Sequence, residues 1–236
     1  MLIRNKKTFS LGVVFAISFF IVLMLIFSPV FNGKNGLVFS DDMFNKLSKG
    51  SSYFIPKVAK SVEKVKGKSL SVSITLDKAE EAENTAKLFT AAGAAVNSNG
   101  AEMTIQGDLG AILSSALNDA DAMYKNDGKA VSDRYGYDEK TAMKNWWAAL
   151  GKIDKQLKKD KLIAEAKVVS DVVKKGIEPG YNFYKIDANK VADHAGMMSG
   201  LLVFYVAYTM WWGYAIFYMF DGLGLSMKKA KIKKEA

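Results

Sequence analysis

Two stretches of this 236-residue chain, 9–31 and 195–220, contain no Asp, Glu, Lys, Arg or His, and they limit what the rest can become. The first, Phe9 to Phe31, would be about 35 Å long as a helix at roughly 1.5 Å per residue. The second, Ala195 to Phe220, would be about 39 Å, against a hydrocarbon core of about 30 Å. Each can cross a bilayer, the second with some tilt. The overall 50% apolar and 24% charged content hides this segregation, and a simple soluble globule is excluded.

Arg4, Lys6 and Lys7 would also suit the basic start of a cleaved signal peptide. The apolar run is longer than a signal core of about 7–15 residues, and Phe27-Ser28-Pro29-Val30-Phe31 lacks a small-x-small cleavage pattern, so an uncleaved anchor is expected. Lys228, Lys229, Lys231, Lys233 and Lys234 follow the second span. Positive charge in short flanks stays cytoplasmic, so these lysines, with Arg4, Lys6 and Lys7, are the topology determinants. They predict a two-pass protein of the inner (plasma) membrane with both termini cytoplasmic and residues 32–194 extracytoplasmic. Residues 32–194 contain no Asn-x-Ser/Thr sequon, which inclines the reading toward a bacterial periplasmic domain.

The net charge of +9 is concentrated in these flanks, which carry +6 of it. Such charge attracts anionic lipid headgroups. No recognition-helix or basic–aromatic strand pattern points to nucleic acid, so the bilayer is the expected partner.

The segregation predicts seven segments: a cytoplasmic N-terminus (1–8), a first span (9–31), a helical lead-in (32–68), a small α+β unit (69–126), a helical hairpin and connector (127–194), a second span (195–220) and a basic tail (221–236). In the lead-in, Asn32 to Gly36 reads as a loop and Ser40-Asp41-Asp42 as a helix cap. A helix opening at Pro56 places Val58, Val62 and Val65 on one face. Ser69 to Leu76 alternates polar and apolar, the strand period. Asp77 is then expected to cap a helix ending at Gly93, and Ala94-Ala95-Val96 and Glu102 to Ile105 flank an Asn97-Ser98-Asn99-Gly100 turn. Asp108 should cap a helix carrying Ile112, Leu113, Ala116 and Ala120. The order is β-α-β-β-α, close to a split βαβ or ferredoxin-like half.

From Asp138 the period is helical. Met143, Trp146, Trp147, Leu150, Ile153 and Leu157 form one stripe, and Leu162, Ala166, Val169 and Val173 another. A turn at Lys158 to Lys161 gives a hairpin, preferred over one continuous helix of about 57 Å. Asp187 is expected to cap a helix from Ala188 to His194. The fold class is therefore membrane-anchored α+β, two transmembrane helices flanking a β-α-β-β-α unit and a helical hairpin.

Chemistry is thinly represented. There are no cysteines and one histidine, His194, a boundary residue that a quinone or metal site would need to be built around. Gly67-Lys68-Ser69 lacks the earlier glycine of a phosphate loop, since Val62 stands there. Asp119, Asp121 and Asp127 lack calcium-loop spacing and read as a helix end before an Asn126-Asp127-Gly128 turn. Catalytic, cofactor and metal sites are all expected to be absent.

Nine of the 17 residues from Phe204 to Phe220 are aromatic, with Trp211 and Trp212 near mid-span, where an interfacial belt does not explain them. Phe204, Tyr208, Trp211, Trp212 and Tyr218 form a candidate helix-partner interface, joined by the small-residue face of Gly196 and Gly200. Neither span has an ionisable residue, which disfavours a self-sufficient transporter. The sequence predicts a non-enzymatic accessory or assembly subunit with a membrane-protein partner or homo-oligomer. A sensory or small-molecule-binding module and a quinone-linked electron-transfer subunit are the alternatives.

Overall fold

The computed structural model describes residues 3–225, so the five tail lysines lie outside the described residues. The chain divides into two compact units, one from residues 1–44 with 190–236 and one from 45–189.

The first unit is built on α1 (Lys6–Phe27) and α10 (Ala195–Leu223), both in helices long and apolar enough to cross a membrane. Asn5 caps α1 by accepting from the Thr8 amide at 3.2 Å, and Ser28 followed by Pro29 ends it. The helices pack antiparallel: Phe15 stacks on Tyr218, Phe19 meets Trp211 and Trp212, and the Arg4 and Asn5 amides donate to the Gly222 carbonyl. Close approach rests on glycine. A Cβ at Gly12 would lie 2.6 Å from the Met219 amide nitrogen, and one at Gly222 would lie 2.6 Å from Phe9. The Trp211 indole donates to the Ser18 hydroxyl at 3.2 Å, which gives a mid-span N–H the partner that hydrocarbon cannot offer.

α2 (Gly36–Ser51) carries the chain from one unit into the next. Its start is set by Asn35, whose side chain accepts from the Val38 amide at 2.9 Å. Ser40, Asp41 and Asp42 lie inside the helix, not at a cap, because the Phe31–Lys34 turn with positive φ at Asn32 and Gly33 has already reversed the chain.

The second unit begins with the end of α2 and α3 (Ile55–Val62), followed by a 3-10 turn over Glu63–Val65. Val58, Val62 and Val65 are buried as the heptad spacing predicts. β1 (Ser69–Thr75), α4 (Glu80–Ala91), β2 (Ala95–Asn99), β3 (Glu102–Asp108) and α5 (Leu109–Tyr124) follow in the expected order. The sheet order is β1-β3-β2, with β3 antiparallel to both neighbours. The outer strands are therefore mutually parallel, with β3 inserted between them, as in a split βαβ unit. β2 extends through Asn97–Asn99, so the turn is shorter than expected and falls on Gly100, at φ +61°, and Ala101. Asp108 caps α5, accepting from the Gly110 amide at 2.7 Å. Asp77 does not cap α4. Ala79 stands there, and Asp77 instead accepts from Lys152 at 2.7 Å.

A helix not foreseen, α6 (Gly128–Tyr135), follows the Schellman-type end of α5, where Asn126 is at φ +65° and the Asp127 amide reaches the Ala122 carbonyl. The hairpin is α7 (Glu139–Lys159) and α8 (Ile163–Val172), broken by a second Schellman turn with Lys161 at φ +62°. This turn leaves Leu162 exposed, off the stripe of Ala166, Val169 and Val173. α8 continues through a π-helical turn, Val173–Ile177, into α9 (Glu178–Asn182). Asp187 caps no helix. The Asn189 amide is taken by the Lys46 carbonyl at 3.0 Å, and helical structure resumes as a 3-10 turn at Val191–His194.

Sheet and helices share one core, and its main polar element is Asp119. Fully buried, its carboxylate accepts from the Tyr135 hydroxyl at 2.5 Å, the Trp146 indole at 2.8 Å and the Arg134 guanidinium. These bonds join α5, α6 and α7. Burial pushes the Asp119 carboxyl up against the opposing pull of the three donors. Burial, with Asp119 nearby, pushes the Tyr135 hydroxyl up to about 12, and burial does the same for Tyr137.

These contacts carry three expectations. Phe15→Cys with Tyr218→Cys, in a chain that has no other cysteine, should form an intramolecular disulfide in membranes under copper–phenanthroline; Gly12→Leu should reduce its yield severalfold, and an unchanged yield would contradict the hairpin. In the second unit, Asp119→Ala orphans two buried donors and should cost about 3 kcal/mol or more in denaturant melts. Free tyrosine ionises near 10, so the unfolded chain sheds these protons first. The linked stability is intact below about pH 10 and is lost as pH rises toward 12. An ultraviolet titration should show at least two late tyrosines, one of them removed by Tyr135→Phe.

Candidate functional site

The second unit presents a cleft where α7 meets the π turn and α9. Its position on α7 is fixed from inside. Trp146 is fully buried and held by Asp119, so Trp147, about 100° further round the helix, is turned outward and is 52% exposed. The sequence stripe had included Trp147 in the core; two adjacent helical residues cannot share one face, and Trp146 takes the inner position.

The opposite wall owes its shape to Pro179. Having no N–H and a ring that clashes with the carbonyl four residues earlier, proline cannot continue a regular helix, and the preceding turn widens to the π form over Val173–Ile177. Gly176 and Gly180 then let this segment press on α5. A Cβ at Gly176 would lie 2.7 Å from Leu117 Cδ1, and one at Gly180 would lie 2.7 Å from the Ala120 carbonyl oxygen. Val173 and Ile177 are thereby buried, while Lys174, Glu178 and Tyr181 border the cleft.

The cleft has two chambers. The apolar one, about 320 Å³, is lined by Met143, Lys144, Trp147, Ile177, Glu178, Tyr181 and Asn182. The Trp147 indole donates to Glu178 Oε1 at 3.0 Å, and the Lys140 and Lys144 ammonium groups sit 5.7 and 5.8 Å from the Tyr181 ring centre. The polar chamber, about 410 Å³, shares Trp147 and Glu178 and adds Asp77, Gly151, Lys152, Asp154, Lys155, Ser170 and Lys174. The hydrogen bond from Lys152, with its charge, holds the Asp77 carboxyl below the usual carboxylate range. Asp154 Oδ2 accepts from Lys158 at 2.6 Å, whereas its buried Oδ1 has no partner within the protein. Among the described residues, Lys144, Lys155 and Lys174 form no ion pair. Such an arrangement can hold an apolar group in one chamber and an anionic one in the next.

Gly151 stands mid-helix in α7, and a Cβ there would meet nothing within 4 Å. Glycine in a helix interior costs about 1 kcal/mol relative to alanine. No close packing inside the chain requires it. With the adjacent tryptophans, this glycine is the sequence feature that could have marked the cleft and was missed; Glu178, Tyr181 and the unpaired lysines carry no periodic signal.

In the first unit, Tyr208, Trp211, Trp212 and Tyr218 meet α1 of the same chain. Phe204 lines a shallow groove with Val22, Leu23 and Ile26. Gly196 and Gly200 face open space, where a Cβ would meet nothing within 4 Å. Arg4 precedes α1, Lys6 and Lys7 form its first turn, and His194 ends the 3-10 turn before α10. Among the described residues, no group of three His, Asp or Glu is placed to hold a metal ion. No family model matches the sequence, and neither the curated proteins nor the solved structures give a match.

Gly151→Ala should stabilise the protein by about 0.5–1 kcal/mol, seen as a higher melting temperature in detergent. A destabilised variant would show that the backbone there is packed against something.

Proposed function

We propose that this chain is a non-enzymatic two-span subunit of a bacterial inner-membrane complex, holding residues 45–189 outside the cytoplasm and offering the Trp147 cleft to a partner protein. The observation that carries this reading is the half-exposed Trp147 over an apolar chamber of about 320 Å³. Tryptophan is among the residue types most enriched at interface hot spots, where truncation costs about 2 kcal/mol or more of binding. The core does not need it, since Trp146 already fills the buried position.

The membrane placement is supported by the antiparallel packing of α1 and α10, the arrangement that two spans with both flanks on one side of a bilayer would require. The basic residues at those ends, Arg4, Lys6 and Lys7 before α1 and the five lysines after α10, favour the cytoplasm for that side. The intramolecular α1 contact accounts for most of the aromatic stripe of α10. Gly196 and Gly200 remain as the face on which a further helix could pack closely.

The test is affinity purification of the tagged full chain from its own membranes in mild detergent, beside Trp147→Glu. The native chain should bring down a stoichiometric partner and migrate well above 25.9 kDa plus micelle. Trp147→Glu should lose that partner with an unchanged melting temperature. A native chain that runs as a lone monomer sinks the reading.

A further inference from the structure

We infer that the cleft recognises an acidic polypeptide segment carrying one large apolar side chain, an inference that rests on the partner-binding reading above and gives it a ligand class. Three observations converge on this chemistry. The apolar chamber, walled by Trp147, Met143, Ile177 and Tyr181, is the size for one aromatic or branched side chain. Beside it stand three ammonium groups with no ion pair among the described residues, Lys144, Lys155 and Lys174, against one such carboxylate, Glu178, so the excess charge is positive and its complement negative.

The third observation separates a polypeptide from a fatty acid or other simple amphipathic anion. Gly151 leaves α7 bare where the polar chamber opens, so that an incoming main chain can approach the helix, an opening that an acyl chain does not need. On this account the apolar side chain enters beside Trp147, the peptide backbone passes Gly151, and the flanking carboxylates settle on Lys155 and Lys174.

The experiment uses the full chain labelled with 5-fluorotryptophan in lipid nanodiscs. Its four tryptophans give four fluorine signals, assigned by single Trp→Phe variants. The probe is the peptide acetyl-Glu-Asp-Trp-Glu-Asp-amide with unlabelled tryptophan. Two controls accompany it, one with serine in place of tryptophan and one with glutamine and asparagine in place of the acids. The expected result is a saturable shift of the Trp147 signal with Trp146 unmoved, and binding about tenfold weaker or more for each control.

Lys155→Glu with Lys174→Glu should weaken the acidic peptide by a similar factor while leaving the neutral one unaffected. Gly151→Leu, which keeps every charge, should block both peptides by filling the chamber, with an unshifted Trp146 signal reporting an intact core. A Trp147 signal that does not respond to the acidic peptide, or responds equally to both controls, overturns the inference. A shift produced instead by decanoate, and not by peptide, also overturns it in favour of a small amphipathic anion. If the peptide fails while Trp147-dependent co-purification persists, only the ligand class is wrong. If the native chain purifies alone, the partner-binding reading fails however the peptide behaves.

Discussion

The second unit is organised around one buried carboxylate. Asp119 sits on the inner face of α5, and its three donors come from α6 and α7, so the relative rotation of these helices is fixed by hydrogen bonds as well as by shape. A buried charge of this kind adds little net stability over an apolar replacement, but removing it alone is severe, because the donors it satisfies are left behind. Its consequence for the surface is geometric. By pinning the Trp146 indole inward, it sends Trp147 out over the cleft, and the site is thus a by-product of a core constraint.

The same buried aspartate shows where sequence reading succeeds and where it stops. Period and caps located the strand at Ser69–Thr75, the split βαβ order, the Asp108 cap and the break between α7 and α8, all of which are signalled by patterns within a few residues. Asp77 and Asp187 were misjudged as caps because each could have served locally. A distant lysine captures the first, and backbone pairing with Lys46 holds the chain beside the second. Asp119 was read as part of a polar helix end, yet it lies on the stripe of Ile112, Ala116 and Met123. An acid on an apolar face was the available clue that a buried partner set existed. The π turn depends on Pro179 acting on a helix whose length could not be judged from its own residues, and the cleft depends on that turn.

The first unit follows a different logic. Between two helices long and apolar enough to cross a membrane, hydrocarbon supplies no hydrophobic drive, so association there needs close packing and satisfied polar groups. α1 and α10 supply both through Gly12 and Gly222 at the two crossing contacts and through the bond from Trp211 to Ser18. The rings of Phe15, Phe19 and Phe20 interleave with those of Tyr218, Trp211 and Trp212, and such pairs add about 0.5–1.5 kcal/mol each beyond burial. Mid-span aromatics that look anomalous on a single helix become ordinary once their neighbour is counted.

The two ends of the second unit meet: within residues 45–189, Lys49 is buried and donates to Asn126 Oδ1 at 2.9 Å, to the Phe183 carbonyl at 3.1 Å and to the Ile186 carbonyl at 2.5 Å. The Lys46 carbonyl takes the Asn189 amide, and Gly50 leaves no room for a Cβ against Asn189. Burial lowers the Lys49 ammonium against the opposing charge of Asp187, yet three acceptors match its three protons, so the charged form is held without an orphan donor. The entering and leaving strands of chain are therefore tied at the point where the domain closes. The loop-closure entropy of the intervening residues, which grows only as the logarithm of their number, is offset by contacts made within residues 45–189 themselves, those of Lys46, Lys49 and Gly50 with Phe183, Ile186 and Asn189.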